Sequence, residues 1–154
     1  MVPDTGASAA WREHTEAALR DAGHRSGSGR RAVIEVLARH ACLMTAGDIH
    51  DELRRERRRI GFATVYRALE TLTDLGLVRR VEPGTGSAAY EPVDPSGAHH
   101  HHVVCDRCGE VTAFSDEALE RSIEELARRL GRPIDSHEVV LRGSCPDCRA
   151  SASR

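Results

Sequence analysis

Gly61-Phe62-Ala63-Thr64-Val65-Tyr66-Arg67-Ala68-Leu69-Glu70-Thr71-Leu72-Thr73-Asp74-Leu75-Gly76-Leu77-Val78-Arg79-Arg80-Val81 decides the first half of the fold. Val65, Leu69, Leu72 and Leu75 recur at helical spacing, so residues 64–75 predict an amphipathic helix that Gly76 stops. Residues 77–81 and 88–91 then read as two short strands around the turn Glu82-Pro83-Gly84-Thr85-Gly86. Upstream, the periodicity predicts helices over residues 11–22, 30–40 and 46 to about 57, the last with Thr45 as its N-cap. Gly27-Ser28-Gly29 reads as a loop or cap between the first two. Helices leading into a small hairpin are the order of a winged helix-turn-helix, in which the last helix enters the major groove. Thr64, Tyr66 and Arg67 sit near its N-terminus. Arg67 suits guanine edges or a phosphate; Tyr66 suits a phosphate or a thymine methyl.

The second half is organised by sulfur. Cys105-Asp106-Arg107-Cys108 and Cys145-Pro146-Asp147-Cys148 each supply two thiols from one tight knuckle. Two such knuckles close a tetrahedral shell with no open position, which is the pattern of a structural zinc site. Pro92-Val93-Asp94-Pro95-Ser96-Gly97 reads as a linker. Strands are expected over residues 99–105, 111–114 and 134–141, with a helix from Asp116 to about Leu130 whose apolar face is Leu119, Ile123, Leu126 and Leu130.

The run His99-His100-His101-His102 leads into the first knuckle. In an extended chain alternate side chains point to opposite faces, so His99 and His101 share one face while His100 and His102 share the other. One tetrapeptide therefore offers two ligands to each of two metal sites. Glu91, Glu110, Glu120, Glu124 and His137 are the residues that could complete them. His14, His24 and His50 read as exposed helix residues rather than ligands.

The 154 residues suit one or two small domains, and aromatic residues are so few, at 3%, that the core must be aliphatic. No apolar run is long enough to span a membrane, and the N-terminus carries no basic start or apolar block of a signal peptide. A cytoplasmic protein is the expectation, and there paired cysteines are metal ligands more often than disulfides. Cys42 is the unpaired fifth thiol and reads as a small buried hydrophobe. Net charge is −2, so no global field draws the chain to nucleic acid, yet arginines are dense in the first half and acids in the second. No nucleophile or HExxH-type helix stands out, which weighs against a zinc metallohydrolase. A constitutive DNA-binding protein with purely structural zinc is the other alternative.

From residue 22 to Cys148 the chain resembles the ferric uptake regulator (Fur) family of metal-sensing repressors. The stretch Gly61 to Leu69, the histidine run leading into Cys105-x-x-Cys108-Gly109, and His137 placed ahead of Cys145 carry the likeness. The resemblance implies an α+β fold: a winged-helix DNA-binding domain over residues 1–91, a linker over 92–98, and a small α/β dimerisation domain over 99–154 with zinc on Cys105, Cys108, Cys145 and Cys148. It implies a regulatory metal on Glu91, His100 and His102, and a second on His99, His101, Glu120 and His137. Fe2+ or Zn2+ is the expected regulatory ion, with Mn2+ and Ni2+ compatible with the same donors. The expected partners are palindromic operator DNA and a second copy of the chain, with Arg25, Arg30, Arg57, Thr64, Tyr66 and Arg67 on the DNA. Three positions depart from the family pattern. Leu43 stands where a histidine is common, leaving His40 or Cys42 to substitute, and Ala113 replaces an acidic residue. Gly27-Ser28-Gly29 replaces a Thr-Pro-Gln-like cap, which is expected to loosen the arm bearing Arg25 and Arg30.

Overall fold

The computed structural model describes residues 5–25, 27–40, 42–84 and 86–151. They form two compact units, residues 1–98 and 99–154. The first begins with α1 (Thr5–Asp21), α2 (Ser28–Arg39), the two-residue strand β1 (Met44–Thr45), α3 (Ala46–Arg55) and α4 (Phe62–Asp74). It ends in the hairpin β2 (Val78–Val81) and β3 (Ala89–Pro92). Thr85, in the expected turn of that hairpin, lies outside the described residues.

The aliphatic stripes converge. Val33, Ile34 and Leu37 of α2, Ile49 and Leu53 of α3, and Val65, Leu69 and Leu72 of α4 are fully buried in one core. α1 adds Trp11 and Leu19 to it. Thr45 caps α3 with a reciprocal box: its hydroxyl accepts the Asp48 N–H at 3.1 Å, and its own N–H donates to the Asp48 carboxylate at 2.9 Å. β1 was not expected from the sequence, because two residues carry no period. It pairs antiparallel with β3, Met44 opposite Tyr90, and makes the wing a three-stranded sheet ordered β1-β3-β2. This is the winged helix-turn-helix.

Two expectations need correction here. α3 ends at Arg55 rather than near Arg57, since Arg57 adopts a left-handed φ of 58° that breaks the helical path. α2 starts at Ser28 rather than residue 30: of the two readings of Gly27-Ser28-Gly29, loop or cap, the cap holds, with Gly27 as the N-cap and Ser28 and Gly29 in the first turn. A Cβ on Gly29 would lie 2.6 Å from Thr64 Cγ2, so glycine is what lets α2 close onto the start of α4.

The second unit holds β4 (His101–Cys105), β5 (Val111–Phe114), α5 (Glu117–Leu130), β6 (Val140–Gly143) and α6 (Pro146–Ser151). β4 is the central strand, antiparallel to β5 and parallel to β6. The third strand begins later than the expected residue 134. Pairing starts only where Val139 O accepts the His102 N–H and Val140 lies opposite His102. Asp116 caps α5 through the Leu119 N–H at 2.8 Å, and Gly131 closes it at φ 63°. Among the described residues nothing fully covers the apolar face of α5. Leu119 and Ile123 are half-buried, and Leu126 and Leu130 are 40% and 61% exposed. Among the described residues no helix is long and apolar enough to cross a membrane.

Candidate metal centres and nucleic-acid surface

The four thiols meet where the sheet ends. Cys105 closes β4, Cys108 follows in the next turn, and Cys145 and Cys148 open α6. Their Sγ atoms all lie within 4.8 Å of one another. Cys108 and Cys145 Sγ are 3.7 Å apart, against an edge of ~3.8 Å for a tetrahedron with Zn–S bonds of ~2.3 Å. The donor set fits zinc. The Cys105 thiol accepts the backbone N–H groups of Cys145, Cys108 and Arg107, which bring it down to about 6. Cys148, hydrogen-bonded to Cys145 and Cys108, is pushed up to about 12. Cys42 is half-buried and stands outside this cluster.

The histidine run divides as alternation requires. The rings of His99 and His101 lie 5.2 Å apart, and those of His100 and His102 5.0 Å apart. On the first face His101 Nε2 meets Glu120 Oε1 at 2.7 Å, His137 Nε2 meets Glu120 Oε2 at 3.0 Å, and His99 Nε2 meets His137 Nε2 at 3.1 Å. One donor atom from each of these residues falls within 4.8 Å of the others. The hydrogen bond to His101, reinforced by the charges of His137 and His99, holds the Glu120 carboxyl below the ordinary range despite the cost of burial. Three imidazoles and a carboxylate form a nitrogen–oxygen set that suits Fe(II), Zn(II), Mn(II) or Ni(II). Glu120 is delivered by the first turn of α5 and His137 by the irregular segment before β6. Glu110 and Glu124 are exposed and outside the cluster.

The remaining predicted ligands lie on separate elements. Glu91 is on β3, 3.6 Å from the Arg79 guanidinium. His102 is on β4 opposite Ala113 of β5, so the position without a carboxylate is the cross-strand neighbour of a histidine. His40 is engaged by Glu52, Nε2 to Oε2 at 2.8 Å.

On the first unit, arginines gather round the turn from α3 into α4. Arg54, Arg57, Arg58 and Arg59 line an open concavity with Ile60 and Gly61. Arg58 is tied to Glu35 and Glu56, and Arg54 to Asp51, whereas no carboxylate among the described residues pairs with Arg57 or Arg59. Arg30 donates to the carbonyl of Arg25 at 3.0 Å, and Arg67 to the Thr64 hydroxyl at 3.4 Å. The close approach of Gly29 to Thr64 brings the first turn of α2 beside that of α4. Sequence reading missed His50: its ring packs edge-on against Phe62 at 5.3 Å, a contact between helices that no local pattern announces.

The comparisons with known proteins agree with this layout. The model of the "Ferric uptake regulator family" matches residues 21–142. The ferric uptake regulation protein of Neisseria gonorrhoeae is 35% identical over 139 residues, covering 90% of this chain and 95% of that one. Its counterpart in Vibrio anguillarum is 37% identical over 132 residues, 84% and 87% of the two chains. Among solved structures, the Vibrio cholerae ferric uptake regulator superposes with a TM-score of 0.75 at 35% identity, over 83% of this chain and 97% of that one. The Pseudomonas aeruginosa ferric uptake regulator with manganese gives 0.72 at 30% identity, over 85% and 97%. With its winged helix, its thiol cluster and its split histidine run, this chain belongs to the ferric uptake regulator family, whose members are metal-responsive DNA-binding transcriptional regulators and not enzymes.

Proposed function

We propose that this protein is a metal-dependent repressor that binds palindromic operator DNA as a homodimer when its regulatory metal is loaded. The observation that carries the reading is the convergence of His99, His101, Glu120 and His137 within 4.8 Å, in the same unit as a zinc-type thiol cluster. Cys105, Cys108, Cys145 and Cys148 hold zinc for folding. Fe(II) is the favoured regulatory ion, because relatives 35–37% identical are named for ferric uptake. Zn(II) is second, and Mn(II) and Ni(II) suit the same donors.

Glu91, on the last strand before the linker, and His100 and His102, just beyond it, are the regulatory ligands in this reading. Leu43 and Ala113 offer no donor and His40 is engaged by Glu52, so water completes the shell. A cation held by these residues supplies a crosslink between the DNA-binding domain, 1–91, and the dimerisation domain, 99–154, across the linker 92–98. The two recognition helices of a dimer are thereby set to meet half-sites about one helical turn apart. The coupling is reciprocal, so operator DNA tightens metal as metal tightens DNA. Arg25, Arg30 and Arg57 neutralise phosphates, and Thr64, Tyr66 and Arg67 face the bases. The open face of α5, with Leu126 and Leu130 exposed, supports self-association. The protein works in the cytoplasm, where its operator is.

Anaerobic titration of Fe(II), then Zn(II), Mn(II) and Ni(II), against labelled promoter DNA tests this by fluorescence anisotropy. A tenfold or greater gain, about 1.4 kcal/mol, with one metal is expected. That gain is lost in the His100→Ala/His102→Ala variant. Equal affinity with and without metal in both proteins leaves a constitutive DNA-binding protein and overturns the sensor.

A further inference from the structure

The chain has few aromatic side chains, two Phe, two Tyr and one Trp, so where they are exposed is informative. Trp11 and Tyr90 are buried, yet Phe62 and Tyr66 stand 43% and 49% exposed one turn apart at the start of α4. They do not hang loose. Phe62 packs edge-on against Tyr66 at 5.0 Å, and His50 of α3 packs edge-on against Phe62 at 5.3 Å. This ladder leaves an apolar edge facing outward. Beside it, Gly61 borders the arginine-lined concavity in which Arg57 and Arg59 have no carboxylate partner among the described residues. An apolar edge flanked by uncompensated positive charge matches one surface closely: a DNA major groove, with phosphates at its rim and thymine methyl groups on its floor.

We infer that Phe62 is a specificity-determining residue that reads a thymine C5-methyl group in the operator, and that His50 is the positioning residue that fixes its ring. The inference rests on the regulator reading above. A ring at the first residue of a helix has no preceding turn to restrain it, so the His50 contact supplies the restraint.

The test uses full-length, metal-loaded protein and a duplex it recovers from a random-sequence library, with each thymine replaced in turn by uracil. Uracil removes the methyl and leaves every hydrogen-bonding edge intact. Burial of one methyl is worth ~0.8 kcal/mol, so the wild type loses about fourfold affinity at one position in each half-site. In Phe62→Ala that ratio falls to one at that position, while the salt dependence is unchanged. In His50→Ala it falls part of the way, with non-specific DNA affinity unaltered, a pattern that a merely structural role does not produce. If Phe62→Ala keeps the wild-type thymine/uracil ratio, or the wild type is indifferent to uracil everywhere, the inference fails and the regulator reading stands. If the metal-loaded wild type recovers no duplex, both fail.

Discussion

The indole N–H of Trp11 donates to the carbonyl oxygen of Leu77 at 3.0 Å, and that same oxygen accepts the backbone N–H of Val93 at 3.0 Å. One acceptor thus ties three distant pieces together: α1, the entry to the wing and the first residues of the linker. Most of α1 precedes residue 21, where the family match begins. Its contribution is nevertheless to the core. Trp11→Phe keeps the apolar contact and removes the donor, so it costs about 1 kcal/mol, typical of one buried hydrogen bond. The check is urea denaturation followed by circular dichroism, because the substitution also removes the sole tryptophan.

Gly29→Ala places a methyl 2.6 Å from Thr64 Cγ2. Overpacking of this kind costs about 1–3 kcal/mol, and it pushes apart the two helix starts that carry Arg30 and Thr64, proposed above to face DNA. Thr64→Ser deletes the obstructing methyl, so the double variant recovers most of the loss. A double-mutant cycle of thermal unfolding measures that recovery.

Loading of the zinc proposed for the thiol cluster is expected to release protons. Cys105, near 6, is already thiolate at neutral pH, while Cys148, near 12, is not. Binding requires all four as thiolates. Apparent affinity therefore rises with pH across the neutral and alkaline range, and titration in two buffers of different ionisation enthalpy reads the proton count. Cys148→Ser lowers zinc affinity and the thermal stability of the second unit together.

Glu52 illustrates acid sensitivity in the first unit. Burial works against its charge, but the hydrogen bonds from Arg39 and His40 outweigh it and hold the carboxyl below its ordinary value. A folded pKa below the unfolded one stabilises above about pH 4 and loses that contribution as pH falls through the folded value. The pair is partly exposed, so the effect is under about 1 kcal/mol. Glu52→Gln flattens the acid limb of a stability-against-pH curve and leaves its alkaline limb unchanged.

Leu126→Glu with Leu130→Glu puts charge on the open face of α5. If the proposed homodimer forms through this face, sedimentation velocity is expected to show the wild type associating and the double variant as a monomer, with the thiol cluster unaltered.

Much of this was legible in the residues. The aliphatic period of α2, α3 and α4 announced the core, and the alternation of His99 to His102 announced which rings meet. What the sequence hid was non-local. β1 exists because Met44 finds Tyr90, and no run of two residues can say so. The stretch from residue 134 to 139 looked like a strand from its apolar residues, but pairing begins only where Val140 meets His102. Gly29 looked like slack and is a contact, since the reason for the glycine lies on Thr64, far along the chain.

The histidine run has a further consequence through its sameness. Four identical side chains make strand register chemically silent: a slip of one residue would still present two imidazoles to each face. Nothing within the run distinguishes the correct pairing from its neighbour. What distinguishes it is downstream, where Val104 pairs with Val111 and Cys105 with Gly143. The thiol cluster is therefore the frame mark of the sheet. By fixing Cys105 it determines which histidines are presented to which side, and a one-residue deletion between His102 and Cys105 would exchange the two sets without removing a single ligand.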